Sequence, residues 1–69
     1  MDTARVGRRI KAFRKLKGYT QAEFARVLDI PLSVLGGMER GTREPSNELI
    51  QKIAETLTID VKEIIPKDE

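Results

Sequence analysis

The sequence predicts an all-α protein, a compact bundle of about five short helices. Three observations predict it. Apolar residues recur at helical spacing in successive segments, no stretch sustains the apolar–polar alternation of a strand, and helix start and stop residues recur five times in 69 residues. A chain of this length makes one domain and buries about 60% of the surface that its unfolded form exposes. Its core must therefore be economical.

In the first helix Val6, Ile10 and Phe13 fall at i, i+4 and i+7, and Leu16 completes the face. Asp2 or Thr3 caps its start, and Gly18 lies just past its end. Thr20-Gln21-Ala22-Glu23 forms a capping box that opens the second helix, with Phe24, Ala25 and Leu28 facing inward. Asp29–Ile30 makes a tight connection, because Asp is one of the few non-glycine residues that accepts a left-handed turn. Pro31 suits the first position of the third helix, Leu35 and Met38 share its inner face, and Gly41 stops it after Arg40.

Residues 42–45 form a loop and Ser46 caps the fourth helix, whose Leu49, Ile50, Ile53, Ala54 and Leu57 make a buried stripe. Asp60 and Glu63 form a second capping box, opening a last helix from Val61 to Ile65 that Pro66 closes. There is no internal repeat, linker or low-complexity tract, so residues 1–69 are expected to be a single domain.

Composition narrows the chemistry. The chain has no His and no Cys, which removes the usual general base, thiolate metal sites and any disulfide framework. Ser33 and Ser46 lack nucleophile-activating partners, and carboxylates such as Glu23, Asp29, Glu44 and Glu55 fall at caps or on helix surfaces. No catalytic residue, metal site, cofactor or small-molecule ligand is expected. A small domain without disulfides suits a reducing interior such as a cytoplasm. The longest uncharged run, Ile30 to Met38, spans nine residues and contains Pro31, Gly36 and Gly37, far short of a bilayer span. Residues 4–17 do form a basic amphipathic segment, but its apolar stripe is needed for the core rather than for a membrane surface or a targeting signal.

The net charge of +2 conceals a split. Residues 1–43 carry ten basic and four acidic side chains, whereas residues 44–69 carry three basic and seven acidic ones. Seven bases (Arg5, Arg8, Arg9, Lys11, Arg14, Lys15 and Lys17) precede residue 18, with Asp2 as the sole acid among them. This is either a solvated helix face or a front turned toward a polyanion.

Specific residues then favour the polyanion. Thr20-Gln-Ala-Glu-Phe-Ala, Ile30, Leu35, Met38-Glu39-Arg40-Gly41 and Pro45-Ser46 stand in order and at the right spacing. The chain thereby resembles the lambda-repressor-like helix-turn-helix regulators of the Cro and xenobiotic-response-element type, over roughly residues 4 to 65. The resemblance implies a helix-turn-helix unit at about residues 20–40 within a lambda-repressor-like DNA-binding domain. It implies a transcriptional regulator, bacterial or phage, with the third helix in the major groove and two copies on a palindromic operator. The motif ends a few residues before the chain does, so no sensor domain is expected.

The resemblance also assigns residues. Gln21, in the first turn of the second helix, would bond a phosphate, where its alternative is a polar helix-start residue. Arg40, Thr42 and Arg43 would contact the backbone from the following loop, or remain free surface charge and polarity. Arg8 or Arg9 would assist. Arg14 and Glu39 would form a structural ion pair bracing the reading helix. The third helix departs from the family pattern. Its expected outward positions are Leu32, Ser33, Gly36 and Gly37, with Val34 nearby, and only Ser33 among them has a hydrogen-bonding side chain.

Leu32 and Val34 suit a thymine methyl, and the glycines either admit the DNA backbone closely or leave specificity to DNA shape. The rival reading is a protein-interaction module that keeps the scaffold and binds DNA weakly or without sequence preference. Ile59, Val61, Ile64 and Ile65 serve either a homodimer contact or the domain's own core.

Overall fold

The helix boundaries follow from capping chemistry. In the computed structural model, which describes residues 1–65, five helices follow one another: α1 (Thr3–Leu16), α2 (Gln21–Leu28), α3 (Leu32–Arg40), α4 (Asn47–Leu57) and α5 (Val61–Ile64). Asp2 accepts the Arg5 N–H at 3.1 Å and Ser46 accepts the Leu49 N–H at 3.1 Å. At α2 the capping box is complete: Thr20 Oγ1 accepts from the Glu23 N–H at 3.1 Å and Glu23 Oε1 accepts from the Thr20 N–H at 2.8 Å.

Two starts differ from the sequence expectation. Pro31 is the N-cap of α3 and not its first helical residue, because its ψ of 144° is still extended; its carbonyl accepts from Val34 and Leu35. Asp60 caps α5 through the Lys62 N–H at 2.9 Å, one residue short of a capping box with Glu63. Pro66, expected to close α5, lies outside the described residues.

The first four helices end alike. In each, a left-handed residue donates to the carbonyl three residues back and its successor to the carbonyl five back of itself, the pairs being Gly18–Tyr19, Asp29–Ile30, Gly41–Thr42 and Thr58–Ile59. Gly18 and Gly41 adopt φ of 85° and 80° without a side-chain penalty, whereas Asp29 and Thr58 carry a Cβ at 59° and 58°.

Every helix contributes to one core: Val6 and Ile10 from α1, Phe24, Ala25 and Leu28 from α2, Leu35 and Met38 from α3, Ile50, Ile53, Ala54 and Leu57 from α4, and Ile64 from α5. Burying each large aliphatic side chain contributes about 1.5–3 kcal/mol. Tyr19 packs its ring on Phe24, centroids 5.1 Å apart. Leu16, expected to complete the α1 stripe, is 74% exposed. The buried line of α1 runs Val6, Ile10, Arg14, and Leu16 is turned roughly 200° from Arg14 on a helix of about 3.6 residues per turn.

Polar links fasten the periphery. Arg9 of α1 donates through Nε to the Glu63 carbonyl, and its Nη2 lies 3.8 Å from Glu63 Oε1, holding α5 against α1. Lys52 of α4 donates to the Leu28 carbonyl at 2.8 Å and so satisfies an orphan acceptor at the end of α2. Ile64 is fully buried and belongs to the domain's own core, which removes it from the set considered for a dimer contact; Ile59, Val61 and Ile65 are partly buried against the same core. Among the described residues no helix is long and apolar enough to cross a membrane.

Candidate nucleic-acid interface

The site is built where α1 lies across α3. A β-carbon on Gly7 would meet the Met38 carbonyl at 2.1 Å, and one on Gly41 would meet Ala4 Cα at 2.7 Å. Only glycine permits that approach. It fixes α3 against the scaffold along the half that carries Met38 to Gly41.

Arg14 and Glu39 then meet across the same junction. Arg14 Nε donates to Glu39 Oε2 at 2.6 Å and a second guanidinium nitrogen, Nη2, to Oε1 at 3.1 Å, a two-pronged ion pair with both side chains buried. Arg14 Nη1 donates to the Tyr19 carbonyl at 2.9 Å. Gln21 joins through Nε2, which donates to Glu39 Oε1 at 3.0 Å. One buried carboxylate therefore links α1, α2 and α3. Among the described residues no buried side-chain nitrogen or oxygen lacks a partner.

Gln21, the first residue of α2, is thus oriented, with one amide N–H committed to Glu39 and the other available to an acceptor. Beside it, the Thr20 backbone N–H and then the Thr20 hydroxyl hold the exposed Glu23 carboxyl below the usual glutamate range, against slight desolvation and with help from Arg26.

On α3, Leu32 is 49% exposed, Ser33 is exposed and Val34 is half-buried against the core. Gly36 and Gly37, expected at outward positions, are buried. Basic side chains cover them. A β-carbon on Gly36 would lie 3.0 Å from Arg40 Nη1 and 4.0 Å from Gln21 Nε2; one on Gly37 would lie 3.3 Å from Arg43 Cβ and 3.5 Å from Thr42 Oγ1. The uncharged run from Ile30 to Met38 is thereby overlaid at Gly36 by the Arg40 guanidinium.

Thr42, expected at the backbone, is engaged at the end of α3. Its N–H and hydroxyl both donate to the Gly37 carbonyl, at 3.0 and 3.1 Å, so its donors are occupied in closing α3, and a phosphate offers only acceptors. Arg9 is likewise engaged, with Glu63. Sequence reasoning passed over Gly7 and Lys52. An isolated glycine inside a helical pattern is the available signal for a close approach, and Gly7 carries it. Nothing in the sequence marks Lys52 as the partner of Leu28.

Two short helices, a tight left-handed turn at Asp29, a braced second helix and a basic rim define a helix-turn-helix domain. Residues 10–64 match the Helix-turn-helix family, and the chain belongs to that family of DNA-binding transcriptional regulators, which are not enzymes. It is 54% identical, over 69 residues and the full length of both chains, to the uncharacterized HTH-type transcriptional regulator YazB of Bacillus subtilis (strain 168). Antitoxin PezA of Streptococcus pneumoniae serotype 4 is 36% identical over 64 residues, a match spanning 93% of this chain and 40% of PezA. Among solved structures, the restriction-modification controller protein C.AhdI of Aeromonas hydrophila superposes with a TM-score of 0.85 at 35% identity, covering 91% of this chain and 96% of that one.

Proposed function

We propose that this chain is a sequence-specific regulator that inserts α3 into the major groove and binds as a dimer on two half-sites about one helical turn apart. The observation that carries the reading is the Glu39-held Gln21 amide, whose second N–H is free for a phosphate oxygen beside the Arg40 guanidinium. Arg43 supplies a further phosphate contact, and Leu32, Ser33 and Val34 follow the groove. The domain spans residues 1–69, and its place is the cytoplasm, on the nucleoid. The dimer contact uses Ile59, Val61 and Ile65. Likeness to a transcriptional regulator and a controller protein supports this reading.

Duplex binding across a salt series tests it. Affinity falls steeply with salt, and Gln21→Ala weakens all sequences about equally; Arg43→Ala lowers the salt slope by about one. A random duplex pool yields an enriched motif with two-fold symmetry. The rival, a protein-interaction module, draws on the exposed Leu32. Weak binding indifferent to sequence would establish the rival instead.

A further inference from the structure

The outer face of α3 has an incomplete set of base readers. Leu32 and Val34 offer only apolar contact, and a serine such as Ser33 bonds several base edges without distinguishing them. Glycine at positions 36 and 37 contributes no side chain. A helix with this face needs a discriminating group from elsewhere.

Arg40 is placed to supply it. Helical side chains lean toward the N-terminus, so a residue covers the turn that precedes its own Cα. Arg40 follows Gly36 by four residues, and its guanidinium comes to rest over that glycine: Nη1 and Cζ lie 3.0 and 3.9 Å from the point a β-carbon would occupy. The empty position is what admits it. Gln21 Nε2 lies 4.0 Å from the same point and is itself fixed by Glu39. The guanidinium is therefore carried from the last residue of the helix back to the middle of the outer face. There a planar fork of donors matches the O6 and N7 acceptors of guanine, the pairing that separates one base pair from the other three.

We propose that Arg40 is the specificity-determining residue of this surface, directed to a guanine in each half-site rather than to a phosphate. The inference rests on the proposed entry of α3 into the major groove.

The test starts from a motif selected by the full chain from random duplexes. Wild type, Arg40→Lys and Arg40→Ala are then titrated against that duplex and against single-base variants, each over a salt series. Arg40 is exposed, so both variants retain the fold, which circular dichroism verifies. A guanine position is expected at which any other base costs the wild type roughly ten- to hundredfold. Arg40→Lys keeps the charge and the salt slope but loses that preference, because an ammonium lacks the fork. Preference at the remaining positions is unchanged.

A phosphate contact gives the opposite pattern. Every base preference then survives Arg40→Ala, affinity drops uniformly, the salt slope falls by about one, and Arg40→Lys behaves as wild type. That result would overturn the proposal while leaving the regulator reading intact. Failure of the wild type to enrich any motif would overturn both.

Discussion

Gly7 of α1 and Met38 of α3 are in backbone contact, close enough that a β-carbon on Gly7 would reach within 2.1 Å of the Met38 carbonyl oxygen. Helix propensity alone favours alanine there by about 1 kcal/mol. The clash acts the other way and no rotamer relieves it, since both partners are main chain or Cβ. Overpacking of this kind costs about 1–3 kcal/mol or more, so Gly7→Ala is expected to be destabilising on balance. With a net loss of about 2 kcal/mol, the Tm falls by about 8–16 °C. Thermal unfolding followed by circular dichroism checks it, and an unchanged or higher Tm would contradict the contact.

Glu39 holds both the buried Arg14 guanidinium and the Gln21 amide, so its removal is expected to have two effects. Glu39→Ala leaves the Arg14 guanidinium buried without its counter-charge, at a cost of about 3–5 kcal/mol. Replacing both partners, Arg14→Met with Glu39→Leu, restores much of that stability because no charge is stranded. It does not restore DNA affinity, since Gln21 has lost the acceptor that orients it. Urea unfolding and fluorescence anisotropy on the same variants separate the effects. Full recovery of both in the double variant would refute the positioning role.

Thr58 closes α4 at φ 58°, in a region that is costly for a β-branched residue. Gly18 and Gly41, at the ends of α1 and α3, make the same closure without that cost. Thr58→Gly relieves strain of about 1–3 kcal/mol and gives back part of it in unfolded-chain entropy. A net gain of about 1 kcal/mol, or about 4–8 °C in Tm, is expected. No gain in a denaturant titration would show that the turn is unstrained.

Gly36 offers a trade between stability and recognition. A methyl there displaces only the far end of the Arg40 side chain, a flexible group. Gly36→Ala therefore stabilises the helix by about 0.5–1 kcal/mol. It also moves the guanidinium off the outer face, so discrimination between duplexes declines while the Tm rises. Stabilisation with discrimination untouched would separate Arg40 from readout.

The helices were legible because each announces its start with a cap and its interior with a stripe. Thr20, Ser46 and Asp2 act locally, and a local hydrogen bond is visible in sequence. Arg14 and Glu39 were also legible, through resemblance, although a position along a stripe does not reveal that Arg14 takes the inward place that Leu16 was expected to share. Contacts between helices were less accessible. The Lys52–Leu28 bond pairs a side chain with a backbone atom 24 residues away, and backbone acceptors carry no sequence signature. The burial of Gly36 and Gly37 was not legible, because a glycine discloses nothing of the neighbour that fills its space. That neighbour is set by where Arg40 and Arg43 can reach.

The shared closure of α1 through α4 has a consequence for how this chain tolerates added length. Three of its connections pass from a left-handed residue, through one successor, straight into the next N-cap: Gly18–Thr20, Asp29–Pro31 and Thr58–Asp60. An extra residue in any of them has to break a backbone closure or displace a cap. Between α3 and α4 the path from Gly41 to Ser46 contains intervening loop residues, and Thr42 already satisfies the helix end behind it. Insertions and changes of loop length are therefore expected to be accommodated there, at the rim of the surface proposed to face DNA, while the turn between α2 and α3 keeps its length.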